Sequence, residues 1–204
     1  MKRIALPAVF AAILGPIQSV SGWMIAGSLW PGYDPIVKTI SDLAADDSPV
    51  QAIQSSFFIL GGTLSIIAAI YARTLALPGR ITIFAGGLAT YGLTYFTTPS
   101  QDGYSWPHRY FAIASFILFS IWPLLSMRLN KNYPWILRPW GSVLSTVVMG
   151  VIAGWFLMTW LDPNATTTGL VERVIATAQT GYLSLVILLC WFQQRRLAGL
   201  KSAG

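Results

Sequence analysis

The chain has 204 residues, of which 54% are apolar and only 10% charged, with 13 Lys+Arg, 7 Asp+Glu and one His. A soluble domain carries about 25% charged residues, so this composition excludes a disordered chain, a disulfide scaffold and an ordinary water-soluble enzyme. The single cysteine, Cys190, cannot close an internal disulfide, and the net charge of +6 gains meaning only once the charges are placed along the chain.

Six apolar runs approach the roughly 20 residues that a spanning helix needs. In chain order they are Ile4–Trp30, Gln51–Ala72, Ile81–Thr98, Pro107–Met127, Trp140–Leu161 and Leu170–Phe192. The runs are continuous and do not alternate, so they predict helices and not barrel strands. Little chain is left over. The expected fold is all-α, a six-helix transmembrane bundle forming one integral membrane domain over 1–204. Met1-Lys2-Arg3 and Ser19-Val20-Ser21 have the outline of a cleavable signal peptide, but apolar chain continues to Trp30, which favours an uncleaved first helix.

The charges separate between the two sets of helix ends. One set holds Lys2, Arg3, Arg73, Arg80, Arg128, Lys131, Arg138, Arg195, Arg196 and Lys201, with no acid. The other holds all seven acids, with only Lys38, Arg109 and Arg173 as bases. The positive-inside rule then predicts a multi-pass protein of the cell membrane with both termini cytoplasmic. The surplus of positive charge is thus an orientation signal, and no nucleic-acid partner is expected. Trp30, Tyr33, Tyr104, Trp106 and Trp160 form the outer aromatic belt, and Tyr71, Tyr133, Trp135, Trp140 and Trp191 the inner one.

Gly61-Gly62 and Gly86-Gly87 predict close helix approach, and Gly150 with Gly154 form a G-x-x-x-G in the fifth run. That motif serves a homo-oligomer or packing within one bundle equally well. Pro7, Pro16 and Pro123 predict bends.

The outer loops carry the candidate chemistry. In the first, Pro31–Val50, Asp34-Pro35 reads as an N-cap followed by Pro in a first turn. Ile36, Val37, Ile40, Leu43 and Ala44 then recur at helical spacing, which predicts a short amphipathic helix. It is either a solvated surface helix or a lid aiming Ser41 and Asp42 inward. In the second loop, Pro99–Trp106, Ser105 can cap a helix that begins with Pro107, His108 and Arg109. Cations at a helix N-terminus oppose the macrodipole and call for acidic partners or an anionic ligand. Asp102 either closes the loop as a charge partner or orients His108 as a general base. In the third loop, Asp162–Gly169, Glu172 favours the dipole of the following helix, whereas Arg173 either pairs with an outer Asp or clamps an anionic headgroup. Tyr91, Thr94 and Thr98, with Gln51, Gln54 and Ser55, and Thr177 and Thr180, extend polar character into the same end of the bundle. They are interhelical glue or the lining of a cavity open to the outer leaflet. No charge falls at mid-membrane, which argues against an ion pathway.

One His and one Cys exclude a conventional zinc site, and no cofactor is expected. The chain shows no nucleophile elbow, P-loop or dinucleotide fingerprint.

Gly32-Tyr33-Asp34-Pro35 followed by Thr39-Ile40-Ser41-Asp42-Leu43, Asp102 with His108, and Gly169 with Glu172-Arg173 together resemble a bacterial and archaeal membrane family catalogued as "domain of unknown function 998". The resemblance covers essentially the whole chain and implies a six-helix integral membrane protein without a settled activity. The architecture is also loosely similar to membrane lipid hydrolases related to alkaline ceramidases, whose several metal-binding His have a single counterpart here.

Three functions follow. The first is an outer site that binds or modifies an amphipathic lipid or isoprenoid, with Asp42, Asp102 and His108 in acid–base roles and Ser41, Arg109, Glu172 and Arg173 holding substrate. The second is a non-catalytic membrane component whose outer charges lock the loops. The third is a small-solute transporter.

Overall fold

Apolar chain that cannot hydrogen-bond to its surroundings must satisfy its own backbone, and helices do so within one segment. The computed structural model describes residues 3–101 and 103–202. Its elements are α1 (Leu6–Ser28), α2 (Ile40–Leu43), α3 (Gln51–Tyr71), α4 (Leu77–Tyr95), α5 (Trp106–Leu125), α6 (Pro139–Leu161) and α7 (Thr168–Ser202), with a 3-10 turn at Trp135–Leu137. Among the described residues there is no strand, only an isolated bridge between Ile4 and Ala72. Five helices are long and apolar enough to cross a membrane: α1, α3, α5, α6 and the Thr168–Ala198 part of α7. They mark the chain as membrane-embedded. The third apolar run corresponds to α4, which starts ahead of it at Leu77 and stands outside this set of five. Gly79, Gly86, Gly87 and Gly92, three threonines and Arg80 dilute its apolar character.

The long helices pack in sequence order, α1 on α3, α3 on α4, α4 on α5, α5 on α6 and α6 on α7, and α7 returns to α1. The α3 and α4 backbones approach closely through glycine. A Cβ on Gly62 would stand 2.8 Å from the Gly87 carbonyl oxygen, and a Cβ on Gly87 the same distance from that of Gly62. Tyr91 and Thr63 join the same two helices through a 2.8 Å hydroxyl pair. Pro7 stands in the first turn of α1, where a missing N–H is harmless, while Pro16 and Pro123 lie inside their helices.

The main buried cluster lies toward the end that carries the α3–α4 connection. It joins Ala8 and Ala12 of α1, Ala68 of α3, Ile83 of α4, Trp122 of α5 and Ile187 of α7. Arginines there serve backbone carbonyls. Arg80 donates to Ala69 and Ile70 in the last turn of α3 at 2.6 and 2.8 Å, and Arg128 to Thr74 and Leu75 in the α3–α4 connection at 3.0 and 2.9 Å. The Ala69 and Ile70 carbonyls have no intrahelical partner, so the Arg80 guanidinium is an efficient C-terminal cap of α3. At the opposite end the filling is thinner: a small cluster of Ala26, Leu43 and Val50 sits under α2. The cavities described below open in that half.

The first long loop does not run as one amphipathic helix from Asp34. Asp34 organises a single turn, accepting from the Ile36 N–H at 2.8 Å through its side chain and from the Lys38 N–H at 2.8 Å through its carbonyl. The chain then extends at Thr39, which begins α2 through a reciprocal capping box with Asp42. The break has a tertiary cause. The carbonyls of Pro35 and Lys38, which a continuous helix would use internally, accept instead from Arg173.

Candidate functional site

Loop one is fastened on two sides. Toward the α4–α5 connection, Asp46 accepts from the Thr97 hydroxyl at 2.6 Å and its N–H donates to the Thr98 carbonyl at 2.9 Å. Asp47 accepts from the Gln101 N–H at 3.1 Å, and Lys38 bonds the Gln101 side-chain oxygen. Toward α7, the N–H groups of Gly169 and Leu170, orphans of the helix start, donate to the Val37 and Ile36 carbonyls at 3.1 and 3.0 Å. Gly169 is required by contact: a Cβ there would land on the Lys38 backbone.

Arg173 and Glu172 complete this second seam. Arg173 is only 6% exposed. One terminal nitrogen donates to the carbonyls of Pro35, Lys38 and Gly169 at 2.8–2.9 Å, and the other to the Tyr33 hydroxyl at 2.5 Å. The Trp23 and Tyr33 rings flank the guanidinium. Burial pushes the Tyr33 phenol above its usual range, so it stays protonated and donates to the Thr39 carbonyl at 2.7 Å. Glu172, 5% exposed, accepts from the Ile40 N–H, with the Ser41 side chain beside it. The Glu172 carboxyl thus serves the first N–H of α2, an orphan of that helix start. Asp42 accepts from the Thr39 N–H at 2.7 Å as the other half of the capping box.

His108 opens α5 as the sequence suggested, with Ser105 as its N-cap and Pro107 in the first turn. The imidazole is 2% exposed, and its Nδ1 lies 2.9 Å from the Phe96 carbonyl. A carbonyl can only accept, so Nδ1 carries the proton and Nε2 of the neutral ring keeps a lone pair. Among the described residues Nε2 has no hydrogen-bond partner, and neither does the buried Thr98 hydroxyl. Arg109, half-buried, has its guanidinium 4.1 and 5.0 Å from the ring centres of Tyr104 and Trp160. Asp102, expected beside His108, lies outside the described residues.

Two cavities meet at this end. The outer, of about 330 Å³, is walled by loop one and the starts of α5 and α7, and its lining includes Thr98, His108, Arg109, Asp42 and Trp160. The inner, of about 120 Å³, lies among α1, α3, α4, α5 and α7 and is walled largely by Phe57, Phe58, Leu93, Phe119 and Leu183. Ser41, Ala112, Phe116 and Glu172 border both. Of the candidate residues named from sequence, Ser41, Asp42, His108, Arg109 and Glu172 therefore surround one space. Arg173 sits behind it in the seam to loop one.

Sequence reasoning did not single out Gln18, which lines the inner cavity, nor Tyr33 and Trp160 as partners of Arg173 and Arg109. Gln18 had a signal, being an amide inside an apolar run. The two aromatics had none, because interfacial Tyr and Trp are expected on any spanning helix. No group of three or more His, Cys, Asp or Glu able to hold a metal occurs among the described residues.

The class defined by fold and site is a helical membrane-embedded protein with a two-part cavity at one end. The chain belongs to the family described as Protein of unknown function (DUF998), whose model matches residues 13–189. Neither the search of curated proteins nor that of solved structures produced a match.

Proposed function

We propose that this is a six-span protein of the cell membrane that binds an amphipathic lipid or isoprenoid carrying an anionic headgroup. In this reading α4 is the sixth crossing helix, because it is wedged between α3 and α5 and is of similar length to both. The basic loops support cytoplasmic termini and a cytoplasmic α3–α4 connection, an orientation in which the cavities open toward the outer leaflet.

The observation that carries the reading is the shared wall of Ser41, Ala112, Phe116 and Glu172 between a polar outer cavity and a largely apolar inner one. A polar space adjoining an apolar one is the complement of an amphiphile. Arg109 supplies the headgroup charge: its guanidinium is held over two rings and retains donors for a phosphate or carboxylate. His108 Nε2 and the Thr98 hydroxyl are adjoining polar groups without a hydrogen-bond partner among the described residues. Glu172, Arg173 and Asp42 are assigned a positioning role, since each is engaged by the backbone of loop one or α2. They hold the roof of the cavity.

The test is lipid analysis of protein purified in mild detergent, wild type beside Arg109→Gln. A specific anionic amphiphile retained by wild type and depleted in a variant of unchanged thermal midpoint supports the proposal. Identical, non-specific lipid in both proteins contradicts it.

A further inference from the structure

The inner cavity holds two carboxamides that the packing leaves unserved. Gln54 of α3 is 2% exposed and Gln18 of α1 is 9% exposed, and both line this chamber. The side-chain oxygen of each is buried without a hydrogen-bond partner among the described residues. An unpaired polar atom in an apolar interior is costly and calls for an explanation. Most neighbouring hydroxyls spend their hydrogens on their own helices. Ser65 donates to Gly61, Thr90 to Gly86, Ser115 to Ala112 and Thr180 to Ala176, at 2.8–3.0 Å. The Gln179 amide is likewise committed, donating to the Phe116 carbonyl and to the Ser120 hydroxyl. Only Ser19 among the lining hydroxyls is left to turn toward a glutamine, and one hydroxyl cannot serve both oxygens. The chamber therefore suits a donor from outside the protein, and Phe57, Phe58 and Phe119 suit an apolar carrier for it.

We infer that the inner chamber recognises a hydroxyl group carried on an apolar body, its one proton donated to the side-chain oxygen of Gln18 or of Gln54. The inference rests on the reading of the paired cavities as a lipid site and adds a second recognition element to it. The headgroup is selected by charge at Arg109, and the buried part by a hydroxyl at the two glutamines. A hydroxyl also accepts, so it can use a glutamine N–H as well as its oxygen. A methyl ether of the same chain accepts but cannot donate.

The test uses the full chain in detergent and compares a long-chain primary alcohol with its methyl ether. Thermal midpoint and affinity are measured for wild type, Gln18→Met, Gln54→Met and the double variant. Wild type is expected to bind the alcohol about tenfold more tightly than the ether, the worth of one such bond. The double variant is expected to lose that preference, and the single variant that lacks the accepting glutamine to lose it too. Methionine is apolar and of similar length, so the fold should tolerate it; if the double variant does not accumulate, the two single variants decide. Equal binding of alcohol and ether by wild type overturns the inference, as does a preference that survives in the double variant or in both single variants. An alkyl phosphate run in parallel on wild type and Arg109→Gln separates the two levels. If the phosphate binds through Arg109 while the alcohol shows no preference over the ether, only the chamber assignment falls. If neither phosphate nor alcohol binds, both fall.

Discussion

The Arg173 guanidinium donates to the Tyr33 hydroxyl at 2.5 Å, and that hydroxyl donates to the Thr39 carbonyl at 2.7 Å. Through this relay the start of α7 fixes the backbone of loop one just before α2. Arg173 also holds the Pro35 and Lys38 carbonyls, so a single buried cation decides where the loop can be helical. Lysine lacks the planar fork needed to serve these acceptors together. Arg173→Lys is predicted to destabilise by about 3 kcal/mol and Tyr33→Phe by about 1 kcal/mol, given ordinary and charge-assisted hydrogen-bond worth. Unfolding in detergent measures both, and equal midpoints for wild type and Arg173→Lys would refute the relay.

The same seam depends on Gly169. Every close neighbour of a Cβ there is backbone of Lys38 or Pro35, which cannot swing aside as a side chain could. Gly169→Ala should lift loop one from α7 and cost about 1–3 kcal/mol. Amide exchange should rise at Ile36, Val37 and Ile40; unchanged protection would mean the loop is held elsewhere.

Glycines in the long helices divide by contact. Gly62 and Gly87 face each other's carbonyl, so Gly87→Ala should separate α3 from α4 and lower stability by about 1–3 kcal/mol. Gly150 and Gly154 meet nothing within 4 Å. Gly150→Leu is predicted to change stability by less than about 0.5 kcal/mol. A large loss there would show that the α6 glycines pack against something this chain alone does not provide.

Function and stability should separate at the cavity. Arg109→Gln is predicted to weaken binding of an alkyl phosphate about tenfold or more, the worth of a charge-assisted bond, while leaving the unfolding midpoint close to wild type. His108→Gln, which keeps a polar side chain near the Phe96 carbonyl, should also weaken binding. Calorimetric titration with the alkyl phosphate reads both. A variant that melts much earlier yet binds normally would assign these residues to the scaffold.

The long helices were legible because lipid leaves the backbone one economical solution, and Ser105 with Pro107 marked the start of α5 correctly. The path of loop one was not. Asp34-Pro35 is a sound helix-start signal, and it does form a turn, but Arg173, distant in sequence, claims the carbonyls that would propagate it. The competing start at Thr39-x-x-Asp42 was equally present in the sequence. Candidate site residues could be named from their charge at helix starts. Their division between Arg109, over aromatic rings beside a cavity, and Arg173, consumed by carbonyls, depends on tertiary contacts that local sequence does not encode.

Headgroup and chain should occupy the outer and inner cavities together. Photo-crosslinking with an alkyl phosphate bearing a diazirine midway along its chain, mapped by peptide mass spectrometry, reads this directly. Adducts are expected on α3 and α5 around Phe57, Phe58 and Phe119, suppressed by Arg109→Gln. Labelling confined to outward-facing residues such as Val151 and Met158 of α6, unaffected by Arg109→Gln, would contradict it.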